Sequence, residues 1–146
     1  MLLNKAKLSA GLVAIAVSSS VYAKTSEEDA RDAFCYVYLN APEYIYGEAP
    51  FSCEKKGGRF IAQMDEEIAS LKGMQRSNSL PDGLARSFPL CVGELGKKKQ
   101  RVNVARQFFK QKDSPILSRN ASMAMAISSA CDELITPTQS APKALT

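Results

Sequence analysis

Residues 26–40 read Ser-Glu-Glu-Asp-Ala-Arg-Asp-Ala-Phe-Cys-Tyr-Val-Tyr-Leu-Asn, and they decide the fold class. Ser26 reads as a helix N-cap. Acids fill the first turn behind it, and Asp29, the third residue on, completes a capping-box-like pair. Ala30, Ala33, Phe34, Val37 and Tyr38 then recur at three- and four-residue spacing, the period of an amphipathic helix. The spacing predicts a helix from about Glu27 to Asn40, with Pro42 as its stop.

The segment before it reads as a secretory signal. Lys5 and Lys7 form a positive n-region, Leu8 through Val17 an apolar h-region, and Val21-Tyr22-Ala23 a small-residue cleavage site. The apolar run is about ten residues, half of the roughly 20 that a spanning helix needs, so a cleaved peptide (residues 1–23) is expected rather than an anchor. Cleavage leaves residues 24–135 as one helical domain and 136–146 as a patternless, disordered tail. It also removes two of 19 basic residues and no acidic one, so the remainder is close to charge balance. Nucleic acid is therefore not an expected partner, nor is a membrane after the signal is removed. The short lysine-led signal looks bacterial, so the expected location is the periplasm.

An exported chain gives its cysteines a meaning. Cys35, Cys53, Cys91 and Cys131 are even in number and widely spaced, so two disulfides are expected, in any of three connectivities. No Cys-x-x-Cys pair exists, which excludes a thioredoxin-type site, and the absence of histidine argues against zinc.

Beyond Pro42 the periodicity lapses across Glu43 to Lys56, an aromatic loop that Cys53 is expected to fasten. It returns at Phe60, Ile61, Met64, Ile68 and Leu71, which predicts a second helix ending near Gly73. A polar connector follows through Ser77 to Gly83. Val102, Ala105, Phe108 and Phe109 mark a third helix whose first turn, Lys97-Lys98-Lys99-Gln100-Arg101, is very basic. Cations there oppose the macrodipole at roughly 0.3 to 1 kcal/mol each. The run is either a face for an acidic partner or a solvated turn whose charges salt screens. Ser114-Pro115 makes a turn or helix start. Ala121, Ala124, Ile127, Cys131 and Leu134 then predict a fourth helix over 118–135. Met123 and Met125, about 200° apart on it, cannot share a ligand and are expected in the core.

Chemistry is sparse. Without histidine there is no Ser-His or Cys-His dyad and no histidine base. The carboxylate pairs Asp29 with Asp32, and Asp65 with Glu66 and Glu67, are expected on solvated helix faces. Gly57-Gly58 is too short for a phosphate cradle. No catalytic residue, metal or cofactor is expected, which makes binding the expected role.

Phe34-Cys35 followed by Tyr38-Leu39, a landmark Cys91, the helix Val102 to Phe109, a Ser-Pro break and a small-residue helix ending Ser-Ala-Cys131 together resemble the Rap/Tai family. Those periplasmic immunity proteins protect bacteria from peptidoglycan amidases delivered by type VI secretion. The resemblance covers about two thirds of residues 24–146, with little support between Pro42 and Phe88. Val92 and Ala130 stand where proline is usual in that family, and Cys53 is additional.

The expected architecture is all-α, a small bundle of four to five helices around one core, stapled by two disulfides. Cys91 with Cys131 would close an antiparallel hairpin of the last two helices, and Cys35 with Cys53 would pin the aromatic loop. The resemblance implies an immunity protein that inserts a loop into the cleft of an effector hydrolase, as a one-to-one or two-to-two complex, the latter requiring a homodimer. Candidate contacts are Tyr44, Tyr46, Glu48 and Phe51 in the first loop and Arg76, Asp82 and Arg86 around the connector. The alternative function is a small acid-stress chaperone of the periplasm. Lacking histidine, it would have to sense pH through carboxylates.

Overall fold

A computed structural model describes residues 27–54, 57–112 and 118–136. Among them the regular structure is helical: α1 (Glu27–Asn40), α2 (Gly58–Arg76), α3 (Asp82–Ala85), α4 (Phe88–Cys91), α5 (Lys98–Lys110) and α6 (Arg119–Ile135), with 3₁₀ turns at Pro42–Tyr44 and Val92–Glu94. The signal segment 1–23, Ser114-Pro115 and the tail from Pro137 lie outside the described residues. Thr136 still belongs to the end of α6, where its N–H and hydroxyl both donate to the Asp132 carbonyl, at 2.9 and 2.6 Å. No helix among the described residues is long and apolar enough to cross a membrane.

The four long helices arise where the apolar period predicts them. α1 spans Glu27–Asn40 as the periodicity predicts, the N-cap reading of Ser26 lying outside the described residues, and Pro42 opens a single 3₁₀ turn instead of another helical turn. Ala33, Phe34 and Val37 of α1, Phe60, Met64 and Leu71 of α2, and Val102, Ala105 and Phe108 of α5 are buried together. Aromatic contacts cross the seams: Phe34 lies 5.3 Å from Phe109, Phe60 5.4 Å from Tyr36 and 6.0 Å from Phe108. Alanines on α1, α5 and α6 let the backbones approach closely where these rings do not intervene.

α6 is turned relative to the expected face. Met123, Ala126, Ile127, Ala130 and Cys131 are its buried apolar residues, with Ser122 buried beside them, whereas Ala121 and Ala124 are only partly buried and Leu134 is 39 % exposed. Met125, expected in the core with Met123, is exposed; residues two apart on a helix point to different sides. Ser118 caps this helix by accepting from the Ala121 N–H at 3.1 Å.

The polar connector contains structure that the reading by composition passes over. α3 and α4, each one turn, carry Leu84, Phe88 and Cys91 into the core, and Leu95 follows after the second 3₁₀ turn. Both disulfides pair as expected. Cys35–Cys53 ties α1 to the aromatic loop, with Cα atoms 5.1 Å apart, and Cys91–Cys131 ties α4 to α6 at 5.4 Å. The second bridge thus leaves from the short helix α4 and not from the start of α5.

Candidate functional site

The loop after α1 is built by alternation of inward and outward side chains. Ile45 is buried, Tyr46 is 75 % exposed, and Gly47 takes a left-handed φ of 79° before exposed Glu48. The chain then turns inward again. Phe51 meets Phe34 edge-on at 5.4 Å, and Cys53 is bonded to Cys35. Two guanidinium groups complete the fastening, Arg106 over the Tyr44 ring at 4.3 Å and Arg31 over Phe51 at 5.1 Å. Tyr44 and Phe51 therefore anchor the loop, while Tyr46 and Glu48 form its free tip. The distinction rests on Arg106, far along the chain, which nothing local to the loop announces.

Arg76, Asp82 and Arg86 are all exposed, at the end of α2, the start of α3 and just beyond α3. This second segment is held from behind, because the Ser128 hydroxyl of α6 donates to the Gly83 carbonyl at 3.5 Å and Ser87 donates to the same carbonyl at 3.3 Å.

The acidic pair Asp29 and Asp32 overturns the expectation of solvated carboxylates. Asp29 is 1 % and Asp32 6 % exposed. Asp29 meets the Arg59 Nε at 2.7 Å and accepts from Gln63 Nε2 at 3.1 Å. Asp32 accepts the Gly57 N–H at 2.7 Å and the Phe60 N–H at 2.6 Å, so it caps α2 from the neighbouring helix. A 19-residue helix presents unpaired N–H groups and a partial positive charge at that end, which draws a carboxylate inward. Gly57 is required there. Its φ is 108°, and a Cβ would sit 3.3 Å from the Tyr36 Cα and ring.

Beside this cap lies a cleft of about 530 Å³, walled by Glu28, Arg31, Asp32, Phe51, Ser52 and Arg59. Its charges satisfy one another: Arg59 bridges Glu28 at 2.6 Å and Asp29, and Arg31 reaches Glu27 at 3.4 Å. Among the described residues no group of three or more His, Cys, Asp or Glu side chains could hold a metal ion.

Two ionisable groups are displaced from their ordinary range. Burial raises the Tyr36 hydroxyl, and the nearby positive charge of Arg101 offsets it in part. Burial alone raises the Glu67 carboxyl above its ordinary 4.5. A raised carboxyl favours the protonated form in the folded state, so Glu67 supports folding below the unfolded-state pKa and loses that support as pH rises through the folded value. Glu67→Gln is accordingly expected to raise the melting temperature at pH 7 and leave it nearly unchanged at pH 3.5. Calorimetry at the two pH values checks this, and an equal gain at both would remove the electrostatic cause.

Comparison with family models, with characterised proteins and with solved structures finds no match to this chain.

Proposed function

We propose that this protein is an exported immunity protein that binds a peptidoglycan-amidase-type hydrolase delivered by type VI secretion and occludes its active-site cleft. The observation that carries this reading is the loop tip Tyr46-Gly47-Glu48. It stands clear of the helices, while the Cys35–Cys53 bridge and the stacked Tyr44 and Phe51 hold its base. A loop already ordered before it meets its partner loses little conformational entropy on docking. Tyrosine supplies a large, stiff contact surface, and interface energy concentrates on such residues. The secretory signal read at residues 1–23 would carry the protein to the periplasm, where such a toxin acts and where disulfides form.

Tyr46→Ala is expected to weaken binding by about thirtyfold, equivalent to roughly 2 kcal/mol, without lowering the melting temperature, because the ring is mostly in solvent. Tyr44→Ala should behave in the opposite way and lose stability, since its ring supports Arg106. Co-expression in the periplasm with the hydrolase encoded next to it tests the whole reading. Cells should survive with this protein and lyse without it. Equal lysis in both cases would sink the immunity reading and leave the chaperone alternative ahead.

A further inference from the structure

The basic turn at the start of α5 divides into used and unused charge. Lys97 pairs with Glu94 at 3.0 Å and Arg101 with Asp65 at 2.9 Å. Lys98 and Lys99 are exposed and have no ion pair among the described residues. Both stand where the helix dipole adds to their positive potential.

Lys99 also lines a cleft of about 280 Å³, with Tyr44, Asn103, Arg106, Glu133 and Leu134 around it. Arg106 is 5 % exposed, stacked on Tyr44, and donates from Nη1 to the Asn103 Oδ1 at 3.4 Å. Arg106 is thus buried and already engaged, whereas Lys99 is the cation of this cleft exposed to solvent. Glu133, the carboxylate at the rim, accepts from Gln107 Nε2 at 2.9 Å. Leu134, 39 % exposed, adds an apolar lip. The cleft therefore sets two cations, Lys99 and Arg106, against one carboxylate, Glu133, beside an apolar lip, and Tyr44 joins it to the loop whose tip is Tyr46.

We propose that this cleft receives an acidic side chain of the bound hydrolase, with the carboxylate on the Lys99 ammonium and a neighbouring apolar side chain against Tyr44 and Leu134. The identity of the protein partner rests on the function proposed above; the acidic character of what enters the cleft rests on its charge balance. Complementary charge of this kind steers association and fixes register. It also accounts for a basic helix start that local energetics disfavour.

The test uses a peptide, so it does not depend on the hydrolase. The purified ¹⁵N-labelled protein is titrated at low salt with blocked Glu-Phe-Glu-Leu, with blocked Lys-Phe-Lys-Leu as control. Saturable amide shifts should gather at Lys99, Asn103 and Leu134 with the acidic peptide alone, and they should shrink as salt rises. Lys99→Glu should weaken this binding about tenfold, whereas Lys110→Glu, the same charge change at the exposed far end of α5, should leave it intact. Lys99 is exposed and an acid suits a helix start, so the variant should fold. Absence of saturable shifts, or an equal loss with Lys110→Glu, overturns the cleft assignment. Protection of cells without peptide shifts removes the cleft alone, and peptide shifts without protection remove the immunity reading alone.

Discussion

Replacing Cys91 and Cys131 together by alanine is expected to lower stability by about 4 kcal/mol, a large share of the roughly 5 to 15 kcal/mol that holds a small domain. The bridge closes 40 residues, against 18 for Cys35–Cys53, and in the chain-entropy model the shorter loop is worth nearer 3 kcal/mol. Surroundings widen the gap. Both Cys91 and Cys131 are fully enclosed, so alanines leave a void at the junction of α4 and α6. Gln100, which donates to the Ala130 carbonyl at 3.0 Å, packs against the Cys91 sulfur and would lose its wall. Thermal unfolding should show a fall of about 15 °C or more. Replacing Cys35 and Cys53 instead should cost less stability but release the aromatic loop, so binding should suffer first. Equal falls in melting temperature for the two double variants would contradict the loop-length argument.

What the chain reveals of itself before folding depends on the distance over which each feature is determined. The long helices are local, and the period of Phe60, Met64, Ile68 and Leu71 or of Val102, Ala105 and Phe108 is enough to find them. α3 and α4 are also local, since Leu84, Phe88, Cys91 and Leu95 repeat at helical spacing. Pro89 and Gly93 hide that repeat by breaking it into single turns. The turned face of α6 is less accessible, because alanines and serines on both sides leave little contrast and the Cys91–Cys131 bridge fixes the rotation. In the candidate site, the alternation Tyr44, Ile45, Tyr46 suggests opposite faces, but only Arg106 decides that Tyr44 turns inward. Asp29 and Asp32 mislead for the same reason. Acids near a helix start resemble solvent-facing charge, and the partners of Asp29 and Asp32 arrive with the start of α2, more than 20 residues later.

Asp32 turns that long-range dependence into a measurable quantity. Its two oxygens each take one backbone N–H, Gly57 at 2.7 Å and Phe60 at 2.6 Å, in a site 6 % exposed to water. Asp32→Ala strands both donors away from solvent, and hydrogen bonds to a charged acceptor are worth roughly 1.5 to 3 kcal/mol each, so a loss of about 3 kcal/mol or more is expected. Asp32→Asn should recover little. One amide oxygen can keep one bond, but the NH₂ group then faces the second N–H, donor against donor. Serine at Gly57 cannot compensate from within α2, because φ there is 108° and its Cβ would press on Tyr36. The loss should be felt first where α2 begins: amide exchange at Phe60 and Ile61 should accelerate before that at Ile68 or Leu71. Urea unfolding of Asp32→Ala and Asp32→Asn measures the size of the effect, and exchange gives its location. If either variant unfolds at the wild-type midpoint, Asp32 is not the cap that holds α2, and the burial of this acid would need another cause.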